Sequence, residues 1–169
     1  MMGNKKYLNA FENVLIDMAI HRVILDEQGK AVDSVFLEVN EAFAKNIGLK
    51  VADIVRSKIT EVIPSIADTF VLESLGKVAH TGKPDRIEQY IELSKKYFII
   101  DVYRIDKDTV VTILQDITEQ KQAEEQTKTS ELRYRTLFEN ANDTIFLMRG
   151  DKIIDCIQKQ KKCLAIHAK

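Results

Sequence analysis

The chain has 169 residues, 45% of them hydrophobic and 30% charged, with a formal net charge of −1 and a pI near 6.3. That length and hydrophobic content allow one full domain with its own core plus extra segments, and the near-neutral charge gives no electrostatic case for nucleic acid, which usually shows as a strongly basic face. No apolar run reaches the ~18 residues of a membrane span and the N-terminus, MMGNKKYLNAF, has no signal-peptide core, while Cys156 and Cys163 both lie near the end, so a reducing, cytoplasmic setting without a disulfide framework is expected.

Tyr7, Leu8, Phe11, Val14, Leu15 and Met18 recur at helical spacing, which predicts an amphipathic helix over 4–18. Its single stripe can pack on its own domain or pair with the same helix of a second copy. Residues 19–25 read as a strand, Asp26 to Lys30 as a turn in which Gly29 takes positive φ, and 32–39 as a second strand completing a hairpin. In that second strand Val35, Leu37 and Val39 alternate with Ser34, Phe36 and Glu38. Asn40 then caps a short helix, Glu41 to Ile47, with Phe43 and Ile47 on one face and Gly48 as its stop.

Residues 51–63 suggest short helical turns before Pro64. A longer helix is predicted over 66–81, with Val71, Leu72, Leu75, Val78 and Ala79 inward and Gly82 and Pro84 ending it. Three strands follow, 86–93, 97–105 and 109–115. Their links, Ser94 to Lys96 and Asp106 to Asp108, are too short for parallel crossovers, so they form an antiparallel meander. The fold class is α+β, with helices gathered on one face of an antiparallel sheet.

At Asp116-Ile117-Thr118-Glu119 the composition turns from β-branched to Glu, Gln, Lys and Ala. Asp116 is placed to cap a helix, and Glu119, three residues on, stands at capping-box spacing. A core strand therefore runs almost directly into an exposed helix. Residues 119–130 have Ala123 as their one apolar member, so this helix needs a partner or frays.

Tyr7-x-x-x-Phe11-Glu12-Asn13 reappears as Tyr134-x-x-x-Phe138-Glu139-Asn140, each time followed by a short apolar run. This predicts a repeated helix-then-domain unit. The second copy stops early: past Ile153 and Ile154 the chain becomes CIQKQKKCLAIHAK, which reads as a truncated or frame-shifted continuation. Two strands alone are marginal, so 141–169 is expected to dock elsewhere or move. The basic Lys159, Lys161 and Lys162 read as a solvated terminus.

FLEVNEAF (Phe36 to Phe43), ITEVIP (Ile59 to Pro64), VAHTGKP (Val78 to Pro84) and above all DITEQKQAEE (Asp116 to Glu125) resemble a PAS sensor domain of the bacterial or archaeal histidine-kinase type. SELRYRTLFENANDTIFLM (Ser130 to Met148) resembles the start of another. The resemblance divides the chain into an N-terminal helix, 1–18, a PAS domain, 19–118, a signalling helix, 119–140, and an incomplete second PAS unit with a basic tail, 141–169.

It implies a PAS-like five-stranded antiparallel sheet flanked by signalling helices, with a cavity for a small ligand in some members. It also implies homodimerisation, transmission through Asp116, Ile117, Thr118 and Glu119, and a separate output domain, as in a two-component phosphorelay. Nothing here matches a kinase phospho-acceptor helix or an ATP-binding Gly-rich box, so the chain itself is expected to have no catalytic activity.

The departures are specific. Flavin-binding relatives carry a reactive cysteine in the helical region, which this body lacks, and a glutamine where Leu114 stands, so flavin is not expected. Haem-binding relatives place a histidine on the long helix. His80 lies near that helix's end, where a helix-end role is preferred, and His21 lies in the first strand among apolar neighbours, where a hydrogen-bonded structural role is preferred. Arg56 stands where a glycine is common, and Thr127 where many linkers have leucine.

If a cavity exists, Phe43, Ile47, Val71, Leu75, Phe98, Ile100 and Leu114 are its candidate lining. Glu88, Glu92 and Asp101 fit a solvated face, and Tyr90, Tyr97, Phe98 and Tyr103 fit sheet stabilisation or a cavity wall. No phosphate loop, metal-spaced cluster or nucleophile elbow is present. The expected function is a cytoplasmic sensory module, the alternatives being a ligand-free dimerisation spacer or a haem-holding redox or gas sensor.

Overall fold

The computed structural model describes residues 11–12, 14–140, 145–149 and 152–157, with side chains as far as residue 136. They fall into two units, Met1–Glu119 and Gln120–Lys169. In the first, β1 (Asp17–Leu25) and β2 (Ala31–Val39) form the hairpin, closed by Gly29 at φ 79° and by Asp26 Oδ1, which accepts from the Gln28 and Lys30 amides. The helical middle holds α1 (Glu41–Ile47), α2 (Val51–Ile54), α3 (Ile59–Val62), a 3₁₀ turn (Pro64–Asp68) and α4 (Val71–Thr81). Then come β3 (Asp85–Ile91), β4 (Lys96–Asp106) and β5 (Thr109–Asp116).

The five strands form one antiparallel sheet in the order β2-β1-β5-β4-β3. The meander is as the short links require, and β1 closes the sheet by pairing with β5, which the hairpins alone do not specify. The helices cover one face, and the core lies between them and the sheet. Phe36, Phe98, Ile54, Ile66, Leu75, Val78, Val102 and Val110 are its largest fully buried apolar side chains. Burying each large one contributes roughly 1.5–3 kcal/mol. In β2, Ala31, Phe36 and Val39 belong to the buried cluster, and Ser34 is fully buried as well.

The caps of α1 form as expected: Asn40 Oδ1 accepts from the Phe43 amide, and Gly48 at φ 78° ends the helix. The expected helix over 66–81 is instead two pieces. Thr69 interrupts it, its hydroxyl donating back to the Ile66 carbonyl at 2.7 Å and accepting from the Val71 amide at 3.3 Å. A polar side chain that satisfies the end of one turn and the start of the next competes with a continuous helix.

The N-terminal helix expected over 4–18 also needs correcting. Phe11 and Glu12 are helical, but the chain bends at Leu15 and Ile16, and β1 has begun by Asp17. Leu15 is 95% exposed, and Met18 sits in the strand. Tyr7 and Leu8 lie outside the described residues.

In the second unit, α5 (Thr118–Asn140), which starts at the end of the first, runs for 23 residues, and every side chain from Gln122 to Thr136 is exposed. A hairpin of β6 (Ile145–Arg149) and β7 (Lys152–Ile157) follows. The expectations for the basic tail lie outside the described residues.

Candidate functional site

The β4–β5 register sets Phe98 opposite Asp116, so the strand-to-helix joint falls beside the start of β4. The Ile117 amide donates to the Tyr97 carbonyl at 2.9 Å, and the Tyr97 amide donates to Thr118 Oγ1 at 3.0 Å. The Thr118 side chain thereby supplies the last rung of the ladder after the backbone has turned away to start α5. Ile117, 4% exposed, anchors the joint in the interior.

Asp116 is still in the strand, and α5 begins two residues later. The expected capping box of Asp116 with Glu119 is replaced by a tighter turn, in which Asp116 Oδ1 accepts from the Thr118 amide at 2.9 Å. Burial alone would raise the Asp116 carboxyl. The Thr118 hydroxyl and amide, with Lys96 2.9 Å away, hold it below the ordinary carboxylate range.

Asn40, 1% exposed, does more than cap α1. Its Oδ1 also accepts from the Met18 amide, and its Nδ2 donates to the carbonyls of Phe11, Val14 and Ile16. One buried amide thus turns the N-terminal segment into β1, which is why the apolar spacing through Val14, Leu15 and Met18 does not continue as helix.

The seven candidate cavity residues, Phe43, Ile47, Val71, Leu75, Phe98, Ile100 and Leu114, all belong to one buried cluster. The aromatic group on β3 and β4 splits: Phe98 points into the core, while the Tyr90 and Tyr97 rings pack tilted at 51° with centroids 4.8 Å apart on the other face and Tyr103 is also exposed. Asp101 pairs bidentately with Arg86 at 2.6 and 2.8 Å, and Glu88 and Glu92 are exposed.

His80 is exposed in the last turn of α4. His21 is buried in the sheet. Its Nε2 lies 3.0 Å from Thr112 Oγ1 and its Nδ1 3.4 Å from Ser34 Oγ, with the Phe36 ring at 4.6 Å. Thr112 spends its one proton on the Ala19 carbonyl, so His21 must donate from Nε2 and accept from Ser34 at Nδ1. Burial pushes its pKa down to about 3, leaving a neutral ring. Among the described residues no group of His, Cys, Asp and Glu is arranged to hold a metal.

Lys96, Asn46 and Asp17 were not singled out from the sequence, although they surround the joint. For Lys96 a signal was present: the tight turn at Asp106 to Asp108 sets the hairpin register, and that register brings the start of β4 to Asp116.

Residues 132–156 match the PAS domain family model, a span that begins two residues before the second Tyr-Phe-Glu-Asn motif and takes in β6 and all but the last residue of β7. A search of curated proteins found no match. Among solved structures, an RNA-binding light-oxygen-voltage receptor is similar at a TM-score of 0.56 and 13% identity, covering 79% of this chain and 39% of that one. A domain of a sensory box sensor histidine kinase/response regulator from Geobacter sulfurreducens is similar at 0.50 and 16% identity, covering 67% of this chain and 93% of that one. At such identities the likeness is one of fold. The five-stranded sheet with its helical face has the PAS fold.

Proposed function

We propose that the chain is a sensory module of a signal-transduction protein of the two-component histidine-kinase kind, working as a dimer in the cytoplasm. It binds a small ligand or a partner and passes the change through α5 to an output domain that does the catalysis. The observation that carries this reading is the joint itself: Ile117 is anchored in the core, and Thr118, the first residue of α5, completes the β4–β5 ladder. A change in the sheet therefore acts directly on the helix. A difference of only ~1–3 kcal/mol between two sheet arrangements is enough to bias such an output.

The test is a fusion in which α5 continues into the catalytic core of a histidine kinase. Asp116→Ala is expected to weaken the helix start by about 1 kcal/mol and to shift autophosphorylation while the circular dichroism of the sensor is kept. Unchanged autophosphorylation would remove the transmission role. The packing of all seven candidate residues in one cluster favours a second reading, a ligand-free dimerisation spacer. Unchanged melting across a metabolite panel would support that alternative.

A further inference from the structure

The joint is tied to more than its own hairpin. The Lys96 ammonium pairs with Asp116 Oδ2 and also donates to the side-chain carbonyl of Asn46, in the last turn of α1. The Asn46 amide in turn donates to Asp17 Oδ2, at the first residue of β1. One hydrogen-bonded chain therefore runs from the start of β1, through α1, to the first residue of α5. The other end of α1 is held by Asn40, whose side chain grips the carbonyls of Phe11, Val14 and Ile16 and the Met18 amide. In α1 itself, Phe43, Ala44 and Ile47 are buried against the core.

We propose that α1 is the coupling element of this domain, with Asn46 and Lys96 as positioning residues that convert a displacement of its core face into a shift at the start of α5. Asn40 delivers the same displacement to the segment leading into β1. The proposal rests on reading the domain as a signalling module and names the residues that carry the signal.

The physical reason is the narrow geometry of hydrogen bonds. Their distances cluster within a few tenths of an ångström, so a sub-ångström move of a seven-residue helix must be followed by its partners or must break the link. Asn46 is suited to the branch point because an amide offers a donor and an acceptor at once: it holds a carboxylate on one side and an ammonium on the other. Burial pushes the Asp17 carboxyl up, and the Asn46 donor and Lys96 oppose that rise. Leucine can take neither role. Asn46 is half-buried at the flank of the core face and is not one of its buried apolar residues, so replacing it leaves the core side chains in place.

The test uses amide chemical shifts of the full chain. Ile47→Val removes one methyl group from the core face of α1 and serves as a small, defined displacement. In the otherwise native protein its effect is expected at the Thr118 amide and at the Met18 amide. In an Asn46→Leu background the response at Thr118 is expected to be lost while that at Met18, which runs through Asn40, is kept. Lys96→Met gives a second, independent cut and should silence Thr118 in the same way. A Thr118 response that survives both cuts, or an Ile47→Val effect confined to α1, would overturn the proposal. The fusion experiment with Asp116→Ala reads the output role separately, so the module can stand if this route fails.

Discussion

Arg56 shows how one backbone angle can record a change of side chain. It adopts φ 73°, the left-handed region, and its amide donates to the Phe36 carbonyl at 2.8 Å, so the geometry is locked by the edge of β2. The resembled family commonly has glycine there. A side chain in this region costs about 1–2 kcal/mol, partly offset because glycine loses more entropy on folding. Arg56→Gly is therefore expected to stabilise the protein by roughly 0.5–1 kcal/mol in denaturant unfolding, and a lower midpoint would count against the strain argument.

His21 makes a prediction of opposite kind. Its folded pKa, about 3, lies below the ordinary histidine value, so below pH ~6.5 the unfolded chain binds a proton that the folded one refuses. The neutral-ring contribution is fully present above that pH. It declines as pH falls toward about 3, by as much as about 1.4 kcal/mol per pH unit. Unfolding measured against pH for the native protein and for His21→Gln should diverge through this window, and parallel curves would show that the ring ionises in place. The strand position of His21 was legible in its sequence neighbours. Its partners were not, since Thr112 lies 91 residues away.

At the scale of elements, close approach of α4 to the sheet depends on Gly76. A Cβ there would lie 2.6 Å from the Ala31 Cβ, whereas alanine within a helix is otherwise favoured by ~1 kcal/mol. Overpacking typically costs about 1–3 kcal/mol, which less the helix gain leaves Gly76→Ala expected to destabilise by up to roughly 2 kcal/mol, and a stabilised variant would mean that α4 moves off the hairpin easily. The caps of α1 were legible because asparagine before a helix and glycine after it act through the nearest few residues. The break at Thr69 has a local signal too, a hydroxyl two residues before Val71, though the apolar spacing around it favours a continuous helix. The end of the N-terminal helix had none, because Asn40 acts on it from 24 to 29 residues away.

For the whole molecule, α5 is the segment whose surroundings matter most. A helix exposed from Gln122 to Thr136 and nearly all polar in its first half is marginal alone in water. Sedimentation and native mass spectrometry are expected to report a dimer, and truncation before Gln120 should shift it toward monomer. A full chain that stays monomeric at high micromolar concentration would sink the dimeric reading.

The order of the five strands, the meander and the caps of α1 could be read directly, because alternation and turn and cap residues act over a few positions along the chain. The closing pair of β1 with β5, the polar triad around His21, and the line from Asp17 through Asn46 and Lys96 to Asp116 could not. Each depends on residues that become neighbours when the sheet closes and the helices settle on it; Lys96 and Asn46 are 50 positions apart. A hydrogen bond needs its partners within a few tenths of an ångström, and local periodicity carries no such information across that distance.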